Sequence, residues 1–334
     1  MGVNVLHMKQ SNVHTVLWAL YSCRSSTVKD LAKMTGLSFA TVGNILNSLV
    51  KNGQVTMGEP VGATGGRPSQ TYAFHAEHAH VLAVSGRIRN AKDILYAYVG
   101  DLYGEIVWQT EQYFEDIDVA SFEQLVDACL AVYPNIRALA FSLPGVENDG
   151  LILSNNYKKI EGIFFTQHFE KKYRLPVIAQ NDVNAAVFGY SRNMEPDRIV
   201  AGIFIPGYSA PGVGLKINGK VIKGARGYAG EASLLPLQID WLTIDYQNPP
   251  EIGAAVAKLL SVYCGVVNPS HIVLYGDFYT QAIKNAIEKE IPAGLREVYP
   301  SVEYKNDYES DVVNGLVTQA IAAYRDSMCA LGLI

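Results

Sequence analysis

Apolar residues recur at helical spacing near the start of the chain. Val13, Val16, Leu17, Leu20 and Tyr21 share one face of a helix over about 9–23. "SSTVKDLAKMTGLS" offers a Ser/Thr N-cap, a short amphipathic helix with Val28, Leu31 and Met34 inward, and a Thr-Gly turn. Ser38 then caps "FATVGNILNSLVKNG", whose inward face is Val42, Ile45, Leu46 and Leu49 and which stops at Gly53. "QVTMGEP" (54–60) and "SQTYAF" (69–74) read as two strands, so the intervening "GATGGR" is a hairpin tip closed by Pro68. Helix, short helix, turn, helix and hairpin is the layout of a winged helix-turn-helix.

From about His78 the period changes. Residues 80–114 hold three alternating or apolar runs, with a tight turn at Asp101–Gly104 between the second and third. A helix ("SFEQLVDACLAVYP") and a buried strand ("IRALAFSLPGV") follow, and "LPVIAQNDVNAAVFGYS" (175–191) is a strand ending at Gln180 that runs straight into a helix. Strands alternating with helices make the body α/β. Asn181 and Asp182 then project from the C-terminal end of a strand, where α/β folds keep their clefts. A helix N-cap is the structural alternative for Asp182. "EIGAAVAKLLSVYCGVVNPSHIVLYGD" is a helix, a break at Asn268-Pro269 and a strand. The chain closes on an amphipathic helix with Val312, Val313, Leu316, Ile321 and Tyr324 inward.

Composition narrows the function classes. About half of the 334 residues are apolar and no tract is compositionally extreme, which describes a soluble globular chain of more than one domain. No apolar run approaches the roughly 20 residues that span a membrane, and the first residues lack a signal-peptide layout, so a cytoplasmic location is expected. The four cysteines are far apart, none in a Cys-x-x-Cys pair, and read as small buried hydrophobes rather than zinc ligands or disulfides. The acidic stretches 111–127 and 303–311 read as solvated surface.

Charge divides the chain. Residues 1–75 carry six basic and two acidic side chains, a net +4, leaving −9 on the rest of a chain whose total is −5. A basic head on an acidic body implies that only the head meets a polyanion. Ser38, Thr41, Asn44 and Asn47, on the polar side of the third helix, are the expected DNA contacts, with Arg67 on the wing reaching a phosphate or the minor groove. Three small helices and a hairpin also suit a protein-interaction module.

"KQSNVHTVLWAL", "LAKMTGLSFATVGNILNSLVKNG" and above all "TGGRP" resemble the N-terminal winged helix of the ROK family (repressor, open reading frame, kinase), and the resemblance extends over essentially the whole chain. It implies a winged helix-turn-helix at 1–76 followed by a two-lobed actin-like (ribonuclease H-like) sugar-kinase fold. The lobes would be 77–190 and 191–334, with the last helix (about 308–330) packing back on the first lobe. The Asn-Asp pair that grips the sugar in ROK kinases matches Asn181 and Asp182, the aspartate being the general base. Glu231, in "GYAGEASL", matches a carboxylate that contacts sugar hydroxyls. Asn156 matches a further sugar-contacting asparagine, with Asn155 the alternative.

The departures from the family are equally informative. The Asp-Ile-Gly-Gly-Thr phosphate loop is replaced by "VSGRIRN", with Ser85 for the aspartate. The second phosphate loop is "YSAPGVG", where Tyr208, Ala210 and Pro211 replace two glycines and an isoleucine. A proline has no N–H to offer a phosphate, and side chains block the backbone's approach. The segment 238–250 lacks the Cys and His of the family's zinc loop. The expectation is therefore a DNA-binding repressor of carbohydrate metabolism, homodimeric because one recognition helix reads a half-site. Its body senses a sugar with no catalytic residue, metal or cofactor. The alternatives are a sugar kinase carrying a DNA-binding head, and a DNA-binding dimer without an effector.

Overall fold

The computed structural model describes residues 2–62, 68–89, 92–207 and 209–331. The chain begins with α1 (Gly2–Cys23), β1 (Ser25–Thr27), α2 (Val28–Thr35), α3 (Phe39–Lys51), β2 (Val55–Met57) and β3 (Thr71–Phe74). Thr27 caps α2 by accepting from the Asp30 N–H, and Gly36, at φ 70°, ends it in the left-handed conformation that glycine adopts without strain. Ser38 caps α3 by accepting from the Thr41 N–H, and Val42, Ile45, Leu46 and Leu49 are buried as their spacing requires. β3 pairs antiparallel with both β1 and β2, and Val61 bridges Ser69 beyond β2. Strand β1 has too few residues to show a period in the sequence. Met34 is a correction: it is 55% exposed, because Leu31 and Ala32 fill the seam and Met34 lies beyond it, two residues before the Gly36 cap. The wing-tip Arg67 lies outside the described residues.

The body contains two sheets built to one plan. β4 (His80–Arg89), β5 (Lys92–Gly100) and β6 (Ile106–Phe114) form an antiparallel meander, joined through α4 (Val119–Val132) to β7 (Ile136–Leu143). A small hairpin, β8 (Gly145–Asn148) and β9 (Leu151–Asn155), then leads through α5 (Phe165–Tyr173) to β10 (Val177–Asn181). The sheet order is β10-β7-β4-β5-β6, with β7 and β10 parallel to β4. Helix α6 (Asp182–Tyr190) crosses to the second sheet, β11 (Val200–Phe204), β12 (Gly212–Ile217) and β13 (Lys220–Val221), again an antiparallel meander. α7 (Pro249–Val266), β14 (His271–Tyr275), α8 (Gln281–Glu290) and β15 (Ser301–Lys305) complete it in the order β13-β12-β11-β14-β15, and α9 (Tyr308–Leu331) ends the described chain. The Asp101–Gly104 turn forms as expected, its Asp101 carboxylate accepting from the Tyr103 and Glu105 N–H groups at 2.8 and 2.9 Å.

α4 and α5 cover the outer face of the first sheet, and α7 and α8 that of the second. α6 and α9 pack together between the sheets, α9 lying on β4, β7 and β10 and α6 on β11 and β12. They cross at Gly189 and Gly315, where a Cβ on the first would overlap the Asp311 carbonyl and one on the second the Ala185 carbonyl. Only glycine lets two helix backbones approach so closely. The buried Lys216 ammonium donates to the Ser191 carbonyl at 2.9 Å, closing the C-terminal end of α6.

Two further expectations are corrected. Cys129 and Cys264 are buried but Cys23, at the frayed end of α1, is exposed. The stretch 303–311 is solvated only in part: Glu303 and Asp307 are exposed, but Asp311 is buried and accepts from the Lys305 ammonium at 2.6 Å and the Tyr275 hydroxyl at 2.8 Å, because α9 turns this carboxylate in between the sheets.

Candidate functional site

The strand-to-helix junctions of both sheets open on one cleft of about 620 Å³. Asn156, Asn181, Asp182 and Glu231 all line it, so residues 75 positions apart in the chain are brought together. Asn181, rather than Asp182, is the N-cap of α6. Its side-chain oxygen accepts from the Val183 and Asn184 N–H groups at 2.9 and 3.2 Å, while its amide donates to the Gly145 carbonyl at 3.0 Å. One of the two amide hydrogens is thus used, and the oxygen fixes the start of α6 beside Asp182. Asp182 accepts from the Val183 N–H at 3.0 Å, and the Tyr308 hydroxyl lies against the same carboxyl. Asn156 stands exposed at the rim. Asn155 is buried and turned inward, its oxygen accepting from the Tyr157 N–H at 2.9 Å.

The electrostatics reflect enclosure. Desolvation pushes the Asp182 carboxyl above the usual carboxylate range, partly opposed by its hydrogen bond from Val183, by Tyr308 and by the Arg87 charge. Glu231 is raised as well, by desolvation first and then by the Asp182 charge. A carboxyl so placed can hold its proton and donate, or accept from a ligand hydroxyl; it can also serve as a general base.

The opposite wall is built of different material. Pro206, Ala210, Pro211 and Gly212 line it, two of the four being prolines without an N–H, while Tyr208 lies outside the described residues. The Phe204 ring stacks on Tyr308 at 4.1 Å between centroids and 8° between planes, with Tyr275 edge-on at 5.1 Å. Above them Arg87 pairs with Glu309, which also accepts from the Tyr98 hydroxyl at 3.1 Å. Sequence reasoning missed Arg87, Phe204, Tyr308 and Glu309. Their separation of more than 200 residues leaves no local signal, and Glu309 was hidden in a stretch that read as acidic surface. Among the described residues no group of three or more His, Cys, Asp or Glu side chains could hold a metal ion.

In the head, Asn44 and Asn47 stand exposed on α3 and Thr41 is half-buried. The Ser38 hydroxyl is engaged as the cap and lies 2.9 Å from that of Thr41. The head meets the body through an aromatic cluster. Tyr21 stacks on Tyr103 of the β5–β6 turn at 5.3 Å, and Arg24 lies 4.4 Å over the same ring.

Comparison with known proteins fits this architecture. The xylose repressor of Bacillus subtilis is 24% identical over 66% of this chain, and that of Caldicellulosiruptor bescii 23% identical over 74%. The matched segments span 56% and 62% of those repressors' own lengths. Among solved structures, a ROK family transcriptional regulator homologous to E. coli Mlc superposes with a TM-score of 0.68 at 17% identity, covering 98% of this chain and 99% of that one. A ROK hexokinase from Thermus thermophilus reaches 0.56 at 16% identity, over 72% of this chain and 97% of its own. The body thus has the mixed α/β fold of ROK sugar kinases. The ROK family model itself matches residues 92–240 of this chain.

Proposed function

We propose that this protein is a DNA-binding transcriptional repressor of carbohydrate use, whose body binds a sugar without phosphorylating it. The observation that carries the reading is the asymmetry of the cleft. One wall presents Asp182, Glu231 and Asn156 to hydroxyl groups, whereas the other offers prolines and stacked rings where a nucleotide's phosphates need backbone N–H groups. The xylose repressors among the relatives support an aldose as effector.

In this reading 1–76 is a winged helix-turn-helix, with Thr41, Asn44 and Asn47 on the recognition helix, Ser38 at its start and Arg67 on the wing. Two copies act as a homodimer on a double-stranded operator. Asn181 positions Asp182, which with Glu231 and Asn156 grips the sugar, and no metal or cofactor takes part. No described helix is long and apolar enough to cross a membrane.

The test is thermal unfolding of the full-length protein with D-xylose, other aldoses, their phosphates and ATP, since a ligand bound only to the native state raises Tm. A rise with a neutral sugar that Asp182→Asn abolishes supports the sensor. ATP-dependent phosphorylation of a sugar, lost in the same variant, would establish the kinase instead, a role that the raised pKa of Asp182 would also suit.

A further inference from the structure

Among the described residues that line the cleft, Tyr308 carries a buried hydroxyl that its surroundings satisfy poorly. It is buried against the Asp182 carboxyl in a hydrogen-bonding contact that shifts the proton affinity of both groups but is poorly directed, and it has no second partner of good geometry among the described residues. The ring cannot swing away to water, because Phe204 stacks on one face and Tyr275 meets it edge-on. The group is thus held beside Asp182 in the cleft, where a ligand hydroxyl bound to that carboxyl would arrive.

Tyr308 is also the first residue of α9, whose start is fixed by Asp307 accepting from the Ser310 N–H at 3.1 Å. The helix continues between the sheets to the head. Its Ile321, Tyr324 and Met328 pack on the cluster that includes Val16 and Leu17 of α1, and Arg325 lies 5.4 Å over the Trp18 ring. At 1.5 Å per residue, Tyr308 and Arg325 are about 26 Å apart on one continuous rod. One end stands in the cleft and the other on the first helix of the head.

We propose that Tyr308 is a sugar-contacting residue, its hydroxyl bonding the ligand hydroxyl held by Asp182, and that α9 carries this contact to α1. This rests on the sugar-sensing reading above. It explains why an aromatic residue lies in the cleft without closing it, and it gives the two lobes a means of reporting occupancy. Next to Tyr308 on α9, Glu309 pairs with Arg87 of β4 and ties the helix start to the first sheet.

The experiment uses the full-length protein with D-xylose, L-arabinose, D-glucose and N-acetyl-D-glucosamine as probes. Two quantities are read for the wild type, Tyr308→Phe and Asp182→Asn: the sugar Kd by calorimetry and hydrogen exchange over residues 11–23. Tyr308→Phe retains the stack on Phe204 and removes only the hydroxyl, and thermal unfolding of the sugar-free variant checks that the fold is kept. Its Kd is expected to rise about tenfold, and at saturating sugar the change in exchange over 11–23 seen in the wild type is lost. Full exchange response or unchanged affinity in Tyr308→Phe overturns the proposal while leaving sugar sensing intact. A wild type unmoved by every probe overturns the sensing reading and this proposal with it.

Discussion

The two walls of the cleft differ in what holds them. The wall bearing Asp182 and Glu231 depends on side-chain carboxyls positioned by a helix cap and a short turn, and every group needed to meet a hydroxyl is present. The facing wall, where a kinase of this fold presents backbone N–H groups to phosphate, consists of Pro206, Ala210, Pro211 and the Phe204–Tyr308 stack. A site made of backbone is undone by any side chain that obstructs the approach. A site made of carboxyls survives as long as its scaffold does, so one fold can lose nucleotide binding and retain sugar binding.

The most disruptive way to break this contrast is to separate α6 from α9, since both walls depend on their crossing. Gly189→Ala places a methyl group against the Asp311 carbonyl, a backbone atom that cannot give way alone, and should destabilise the fold by about 3 kcal/mol in urea unfolding. Unchanged stability would mean the crossing is not close-packed. Next in size, Asp182→Asn should weaken sugar binding more than tenfold in calorimetry, since the lost bond is charge-assisted. Pro211→Gly, on the other wall, should leave sugar affinity unchanged and gain no phosphotransfer.

A third difference is in pH. Asp182 and Glu231 both have raised folded-state pKa values, so the native protein binds their protons more tightly than the unfolded chain does. Their stabilising contribution is full below the ordinary carboxylate range and is lost as pH rises through the folded values. Asp182→Asn should therefore gain stability relative to wild type at pH 7 and lose that gain near pH 4, as read by unfolding midpoints across pH. The smallest effect belongs to the head. Arg67→Ala should weaken operator binding severalfold and reduce the salt slope by about one phosphate contact.

Local chemistry was legible where one short segment decides the outcome. The caps at Thr27 and Ser38, the inward stripe of α3, the Asp101 turn and the strand-to-helix junction at Asn181 all follow from hydrogen bonds within a few residues. The same reasoning erred where distant elements intervene. Asp311 and Glu309 read as solvated, yet α9 carries one between the sheets and the other to Arg87. Cys23 read as buried, but at the end of α1 its side chain is exposed.

What the sequence by itself determined is the order and type of most elements, the charge asymmetry between head and body, and four of the residues that line the cleft. Hydrophobic period and cap chemistry are local quantities, and composition needs no coordinates. Tertiary structure alone decided that the Asn181 amide reaches the Gly145 carbonyl, that Phe204 and Tyr308 meet across about a hundred residues, and that one helix runs from the cleft to Trp18. Those facts arise from two sheets folding around a shared pair of helices, a relation between parts far apart in the chain that no window of sequence contains.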